Sequence, residues 1–204
     1  VIAVYGLPMT KLPLCGEETR WANVAVEMER TGDWVVPRQQ GEAFYSRPPF
    51  HSWMIALSAH LFGGYSIFSI RLPSVLSVLA MSWLIFGYGR LFLSPWGATV
   101  AAAAFVTMGQ MLQLGRFGET DPTFALFTSA SLLLWHLGIV RGRLTARNWM
   151  LGYLFAALAT LCKGPQGFCF FVGPVGVYLL STRRWKDLFT LAHAVGLMTF
   201  LAVW

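Results

Sequence analysis

The chain has 204 residues, 56% of them hydrophobic and only 12% charged, with a mean hydropathy of +0.57 and a formal net charge of +6. Soluble domains carry about 25% charged residues, so this composition reads as a polytopic membrane protein rather than a soluble globular one. In that setting the positive charge is a topology signal, because Lys and Arg gather on cytoplasmic loops; the solvated basic face with stacking aromatic residues that nucleic-acid binding needs is not in the sequence.

Taken in order, residues 1–7 are an apolar scrap and the chain stops at Trp204 inside a hydrophobic run. The expectation is a fragment of a longer chain, beginning at the end of one transmembrane helix and stopping within another. Residues 8–70 are predicted to form one extracytoplasmic loop. It holds Glu17, Glu18, Glu27, Glu29, Asp33 and Glu42, six of the nine carboxylates. Within it residues 17–31 are predicted helical, since Trp21, Val24 and Met28 share a face at helical spacing while Glu27 and Glu29 lie away from it. That pattern suits a helix lying in the membrane interface. Gly32 ends it and residues 33–46 read as loop. Residues 50–62 are apolar but shorter than the about 20 residues a span needs, so they read as a second interfacial helix. Its His51 and His60 do not share a helical face and are read as polar-face residues rather than metal ligands.

Spans are predicted at about 72–93, 95–115, 122–140, 148–162, 164–182 and 188–204. The whole is then an all-α polytopic transmembrane helix bundle. Cys15, Cys162 and Cys169 show no metal spacing and read as small apolar residues or free thiols. The turns with Arg141, Arg143 and Arg147, and with Arg183, Arg184 and Lys186, should be cytoplasmic. Alternation of spans then leaves the 8–70 loop, the turn holding Arg116, Glu119 and Asp121, and the turn holding Lys163 on the opposite face. It works only if residues 50–62 do not cross.

Ionisable residues at membrane depth are expensive and usually face a cavity or a partner. Cations collected there suit a phosphate, which Arg grips bidentately and Lys as a point charge. A neighbouring carboxylate can take a proton from an attacking hydroxyl. Plainer readings stand beside these. Arg71 and Arg116 could snorkel to the interface. Lys163 could simply close a helix at its negative end. Asp121-Pro122 is a good helix start. Glu27, Glu29 and Glu42 read as solvated.

The order E-E-T-R-W-A, E-M, T-G-D-W-V-V-P, R-P-P-F-H-S-W, R-L-P-S, D-P and C-K-G-P closely resembles the bacterial aminoarabinose transferase and protein O-mannosyltransferase group of the glycosyltransferase C superfamily, over nearly the whole chain. The resemblance implies a bacterial inner-membrane enzyme whose first extracytoplasmic loop carries two juxtamembrane helices. Such an enzyme moves a sugar from a polyprenyl-phosphate carrier to a lipid or protein hydroxyl, usually with inversion. By position, Glu17 takes the place of the first catalytic aspartate, with Glu18 following it, and Asp121 that of the second acid. Arg20, Arg47 and Lys163 match cations that hold the carrier phosphate, and Arg116 would support them. Three departures stand out. Glu17 is one methylene longer than aspartate, and Arg47 replaces a lysine. Ser46 stands where relatives often carry a glutamate, so no metal site is assigned and no cofactor is required, although some relatives use a divalent ion. The alternatives are a transporter for polyprenyl-linked sugars and a non-catalytic relative.

Overall fold

The computed structural model describes residues 2–6 and 9–204. Val1, Leu7 and Pro8 lie outside the described residues, so the segment expected at 1–7 is seen only as a π-helical turn, Ile2–Gly6. The chain divides into two compact units, 1–126 and 127–204.

The first unit starts with the acidic loop. Gly16, at φ 63°, turns the chain into helix α1 (Glu18–Thr31), with a carboxylate in the first turn where the helix dipole favours one. Gly32 ends it in the left-handed conformation, its N–H bonded to the Met28 carbonyl. Residues 33–46 are more ordered than a loop. Strands β1 (Arg38–Gln39) and β2 (Glu42–Ala43) pair antiparallel around Gln40-Gly41, both at positive φ as a tight primed turn requires. The Gly41 N–H reaches both Glu27 carboxylate oxygens at 3.2 Å, so the hairpin is fastened to α1. Glu29 likewise accepts from the Tyr65 hydroxyl at 2.8 Å, which with burial pushes that phenol upward. Glu27, half-buried, and Glu29, exposed, are thus tethers rather than merely solvated charges.

Helix α2 (Phe50–Leu61) packs on α1. Trp21, Ala22 and Ala25 meet Ile55, Ala56 and Ile70 in one buried cluster, while Leu57 and Leu61 on α2, and Phe62 just after it, stay exposed. Helix α3 (Ile67–Gly89) is capped reciprocally: the Ser69 N–H bonds to Ser66 Oγ at 3.2 Å and the Ser66 N–H to Ser69 Oγ at 2.8 Å. It begins five residues before the predicted span because this cap, not the onset of apolar residues, sets its start. The span expected at 95–115 is broken. Helix α4 (Pro95–Thr107) stops where Met108 turns extended (ψ 135°), and a short α5 (Gly109–Leu114) follows. Thr107 bonds back to the Ala103 and Ala104 carbonyls in the last turn of α4, and Gly109, a poor helix former, follows the break.

Helix α6 (Thr120–Val140) begins in the first unit and continues into the second. The second unit contains α7 (Ala146–Lys163), α8 (Gln166–Ser181), a 3-10 turn (Trp185–Phe189) and α9 (Leu191–Val203). Its core is aromatic: Trp135, Trp149, Tyr153, Phe171 and Phe200 pack with Ala156, Val175 and Leu179. Gly152 and Gly196 allow this closeness, since a Cβ at either would lie 2.6 Å from Phe171 or 2.7 Å from Tyr153. Among the described residues two helices, α3 and α6, are long and apolar enough to cross a membrane, and α4, α8 and α9 are shorter apolar helices. Large side chains on them face outward unpaired with core, among them Trp83, Trp96, Val177, Leu180 and Leu201, as lipid-facing helices show. Cys15, Cys162 and Cys169 are free thiols.

Candidate functional site

The site of the first unit is built on a buried ion pair. Glu18 and Arg71 are 0% and 1% exposed and lie 2.6 Å apart. Glu18 accepts four N–H bonds: two from Arg71 (2.9 and 2.6 Å), one from the Cys15 backbone (2.8 Å) and one from the Gly118 backbone (2.9 Å). Arg71 spends its remaining N–H groups on the carbonyls of Met9 (2.6 Å), Leu12 (3.0 Å) and Pro13 (2.9 Å), and its guanidinium lies over the Phe117 ring. Burial alone would raise the Glu18 carboxyl. The N–H donors of Arg71, Gly118 and Cys15, with the Arg71 charge, outweigh it and hold the group below the usual carboxylate range. Arg71 therefore does not snorkel. It ties residues 9–18 to the start of α3, and a sequence pattern that shows only an arginine in an apolar run gives no sign of a partner 53 positions earlier.

The Gly118 turn is pinned from both sides. Its N–H goes to Glu18, and its carbonyl accepts from His51 Nε2 at 3.1 Å. A Cβ at position 118 would sit 2.9 Å from Ile70 Cγ2 and 3.2 Å from Glu18 Cβ, so only glycine allows the approach. Ser74, one turn along α3 from Ile70 and Arg71, donates to the Glu119 carbonyl at 2.8 Å, and Ser77 and Thr123 share a hydrogen bond of 2.9 Å. His51 is buried, not a polar-face residue. Burial lowers its imidazole to about 4, against the opposing pull of the Gly118 bond and the Asp121 charge. It is neutral at physiological pH, with Nε2 carrying the proton.

These contacts decide which charges are left for chemistry. Glu17, immediately before α1, is 47% exposed and pairs with Arg20, 38% exposed, at 2.5 Å. Arg20 also lies 5.5 Å over the Phe44 ring. Glu119 is half-buried. Burial raises its carboxyl above the usual range, the negative charges of Asp121, Glu17 and Glu18 add to that, and the Trp21 indole opposes it. Glu17, Glu18, Glu119 and Asp121 therefore share one neighbourhood, with Asp121 in the first turn of α6. Arg116 is half-buried on the same turn, its Nε without a hydrogen-bond partner. Arg47 is half-buried ahead of Pro48, with no ion pair among the described residues. Lys163 belongs to the second unit, where it is the last residue of α7. Among the described residues no group of three His, Cys, Asp or Glu is arranged to hold a metal ion.

With helices of this length and polarity and a charged junction at their end, the class is a polytopic membrane helix bundle of the glycosyltransferase C type, similar to aminoarabinose transferases. Residues 46–204 match the dolichyl-phosphate-mannose-protein mannosyltransferase family, and the chain belongs to that family. It is 32% identical over 178 residues, 85% of its length, to the undecaprenyl phosphate-alpha-4-amino-4-deoxy-L-arabinose arabinosyl transferase of Edwardsiella ictaluri. Its identity to the same-named protein of Pseudomonas aeruginosa is also 32%, over 179 residues. The chain spans about a third of each (32%). The crystal structure of ArnT from Cupriavidus metallidurans bound to undecaprenyl phosphate superposes with a TM-score of 0.87 at 25% identity, covering 99% of this chain and 38% of that one.

Proposed function

We propose that the protein is a membrane glycosyltransferase that moves a sugar from a polyprenyl-phosphate carrier to a lipid or protein hydroxyl at the extracytoplasmic face of the bacterial inner membrane, with inversion. The observation that carries this reading is the contrast between Glu18, saturated by four N–H donors, and its neighbour Glu17, exposed and, among the described residues, paired only with Arg20. The names of the relatives support an undecaprenyl-phosphate carrier and a 4-amino-4-deoxy-arabinose donor sugar.

In this reading α1 and α2 lie along the membrane surface, with the exposed Leu57 and Leu61 of α2, and Phe62 just after it, toward lipid. Arg20 and Arg47, with support from Arg116, take the carrier phosphate and stabilise the charge that develops as it leaves; Lys163, in the second unit, is the further phosphate cation that the family motif implies. The acceptor hydroxyl attacks the anomeric carbon from the face opposite the phosphate. Its oxygen forms the new glycosidic bond, the bond from the anomeric carbon to the phosphate oxygen breaks, and the proton passes to a carboxylate. In-line displacement puts base and phosphate on opposite faces of the sugar, so Glu17 and Arg20 cannot stay joined. Phosphate captures Arg20 and frees Glu17 to act as base, or Asp121 takes the proton. Glu18 has no lone pair left for the role and serves as support. The reaction is written with side-chain cations alone and needs no cofactor.

The test uses the full-length protein with an undecaprenyl-phosphate-linked aminosugar and a lipid A or peptide acceptor. Free undecaprenyl phosphate and glycosylated acceptor should appear together. Donor that crosses the bilayer without being consumed would instead mean a carrier transporter. General-base help is typically worth about 10²–10⁴-fold. Glu17→Gln and Asp121→Asn should rank the two candidates by which loses that much, and near-normal transfer in both would sink the assignment.

A further inference from the structure

The turn between α6 and α7 carries a second concave site, unrelated to the transfer reaction. A cavity of about 400 Å³ lies there, walled by Leu134 and Leu137 from α6 and Leu151 from α7, and edged by Arg141, Arg143 and Arg147. None of the three arginines forms an ion pair among the described residues. In the other basic turn one of the three cations, Arg184, is paired, with Asp187 at 2.8 Å.

The frame of the cavity is rigid. Helix α6 ends with the Gly142 N–H on the Ile139 carbonyl (2.9 Å) and the Arg143 N–H on the Gly138 carbonyl (2.9 Å), with Gly142 at φ 71°. This double closure is the Schellman arrangement. Asn148 stitches the two helices: its Nδ2 donates to the Leu134 carbonyl at 3.0 Å, and its Oδ1 accepts from the Thr145 hydroxyl at 2.8 Å. Gly138 makes room, since a Cβ there would lie 2.7 Å from Asn148.

Fold stability does not explain the charges. Arg147 sits in the first turn of α7, the positive end of the helix, and that turn has no acid. A cation there is unfavourable unless an anion is nearby. Arginine forks match phosphate oxygens bidentately, and the positive end of the α7 dipole favours an anion. The leucine walls and the position at the end of membrane-spanning α6 favour an amphipathic ligand over a soluble one. We propose that this cavity binds the phosphate headgroup of an anionic phospholipid, with its glycerol and upper acyl carbons against Leu134, Leu137 and Leu151. Basic pockets at the cytoplasmic ends of spanning helices take such headgroups.

The test is native mass spectrometry of the delipidated full-length protein titrated with phosphatidylglycerol or with phosphatidylcholine. Phosphatidylglycerol should be retained preferentially. At the strength usual for a basic residue beside an anionic headgroup, Arg141→Gln/Arg143→Gln/Arg147→Gln should weaken its retention about a hundredfold, and Arg143→Gln alone about fivefold. The matched control, Arg183→Gln/Arg184→Gln/Lys186→Gln, removes the same charge elsewhere and should leave retention unchanged. Equal loss in both triple variants would show diffuse attraction of charge to the bilayer and overturn the proposal. Unchanged retention in the first triple variant would also overturn it. Displacement of the lipid by millimolar inorganic phosphate would identify a soluble-phosphate site and overturn the lipid assignment.

Discussion

Arg71 and the arginines at 141–147 are the same side chain in opposite circumstances. Arg71 is 1% exposed and every N–H it owns is used, by Glu18 and three loop carbonyls. Arg141, Arg143 and Arg147 line an open cavity that has no carboxylate among its described lining residues. The lesson is that a charge with all its partners inside the protein holds shape, whereas a charge left unpaired at the mouth of a formed cavity is available to a ligand. The same distinction separates Glu18 from Glu17 one residue away.

The largest expected break of this contrast is Arg71→Met. It strands Glu18 and three carbonyls in a dry junction, and removing one partner of a buried pair costs about 3–5 kcal/mol. Thermal unfolding of purified full-length protein should show it, and transfer should vanish with the fold. Adding Glu18→Gln to Arg71→Met should cost less than the sum of the two single changes, because no lone charge remains.

Gly118→Ala comes next. Its Cβ must push against Ile70 and Glu18, and overpacking of this kind costs about 1–3 kcal/mol. It should lower stability and, by shifting the turn that holds Glu119 and Asp121, lower transfer by more than the stability loss explains. Wild-type values for both would remove the turn from the account.

pH gives a graded form of the same test. His51 titrates near 4 when folded and near 6.5 when unfolded, so the unfolded chain binds more protons between those values. Stability is then complete above 6.5 and falls as pH drops toward 4. Glu18, also lowered, contributes stability above its ordinary 4.5 that is lost as pH falls further. Glu119 runs the other way: its raised carboxyl contributes below 4.5 and loses that contribution as pH rises through its folded value. Unfolding midpoints in His51→Asn should lose the step between 6.5 and 4. The smallest stability effect belongs to the unpaired arginines. Arg141→Gln and Arg143→Gln in detergent should change unfolding by no more than about 0.5 kcal/mol, as exposed substitutions do.

Much of the molecule was legible in the sequence for identifiable reasons. The helices at 18–31 and 50–61 announce themselves through Gly16, Gly32, Pro49 and Gly63 at their ends and through one apolar face. The motif order from Glu17 to Lys163 placed the chain in its family before any geometry was known. What stayed hidden depended on contacts distant in sequence or on local competition. Nothing local distinguishes Glu18 from Glu17, since only Gly118, 100 residues on, and Arg71 tell them apart. The break at Met108 falls inside an apolar run whose only local breaker is Gly109, and the hairpin at 38–43 turns on Gln40-Gly41, a weaker signal than Asn-Gly. His51 looked like a surface residue because its partner is a backbone carbonyl in a turn 67 positions away.

The most direct test of the central claim sets the two adjacent glutamates side by side in the full-length protein. Unfolding midpoint and transfer rate are measured for Glu17→Gln and Glu18→Gln. The account predicts that Glu17→Gln keeps the wild-type midpoint and loses transfer, while Glu18→Gln loses both together. Wild-type transfer in Glu17→Gln with Asp121 intact would hand the base to Asp121, and a wild-type midpoint in Glu18→Gln would contradict the buried pair as the frame of the site.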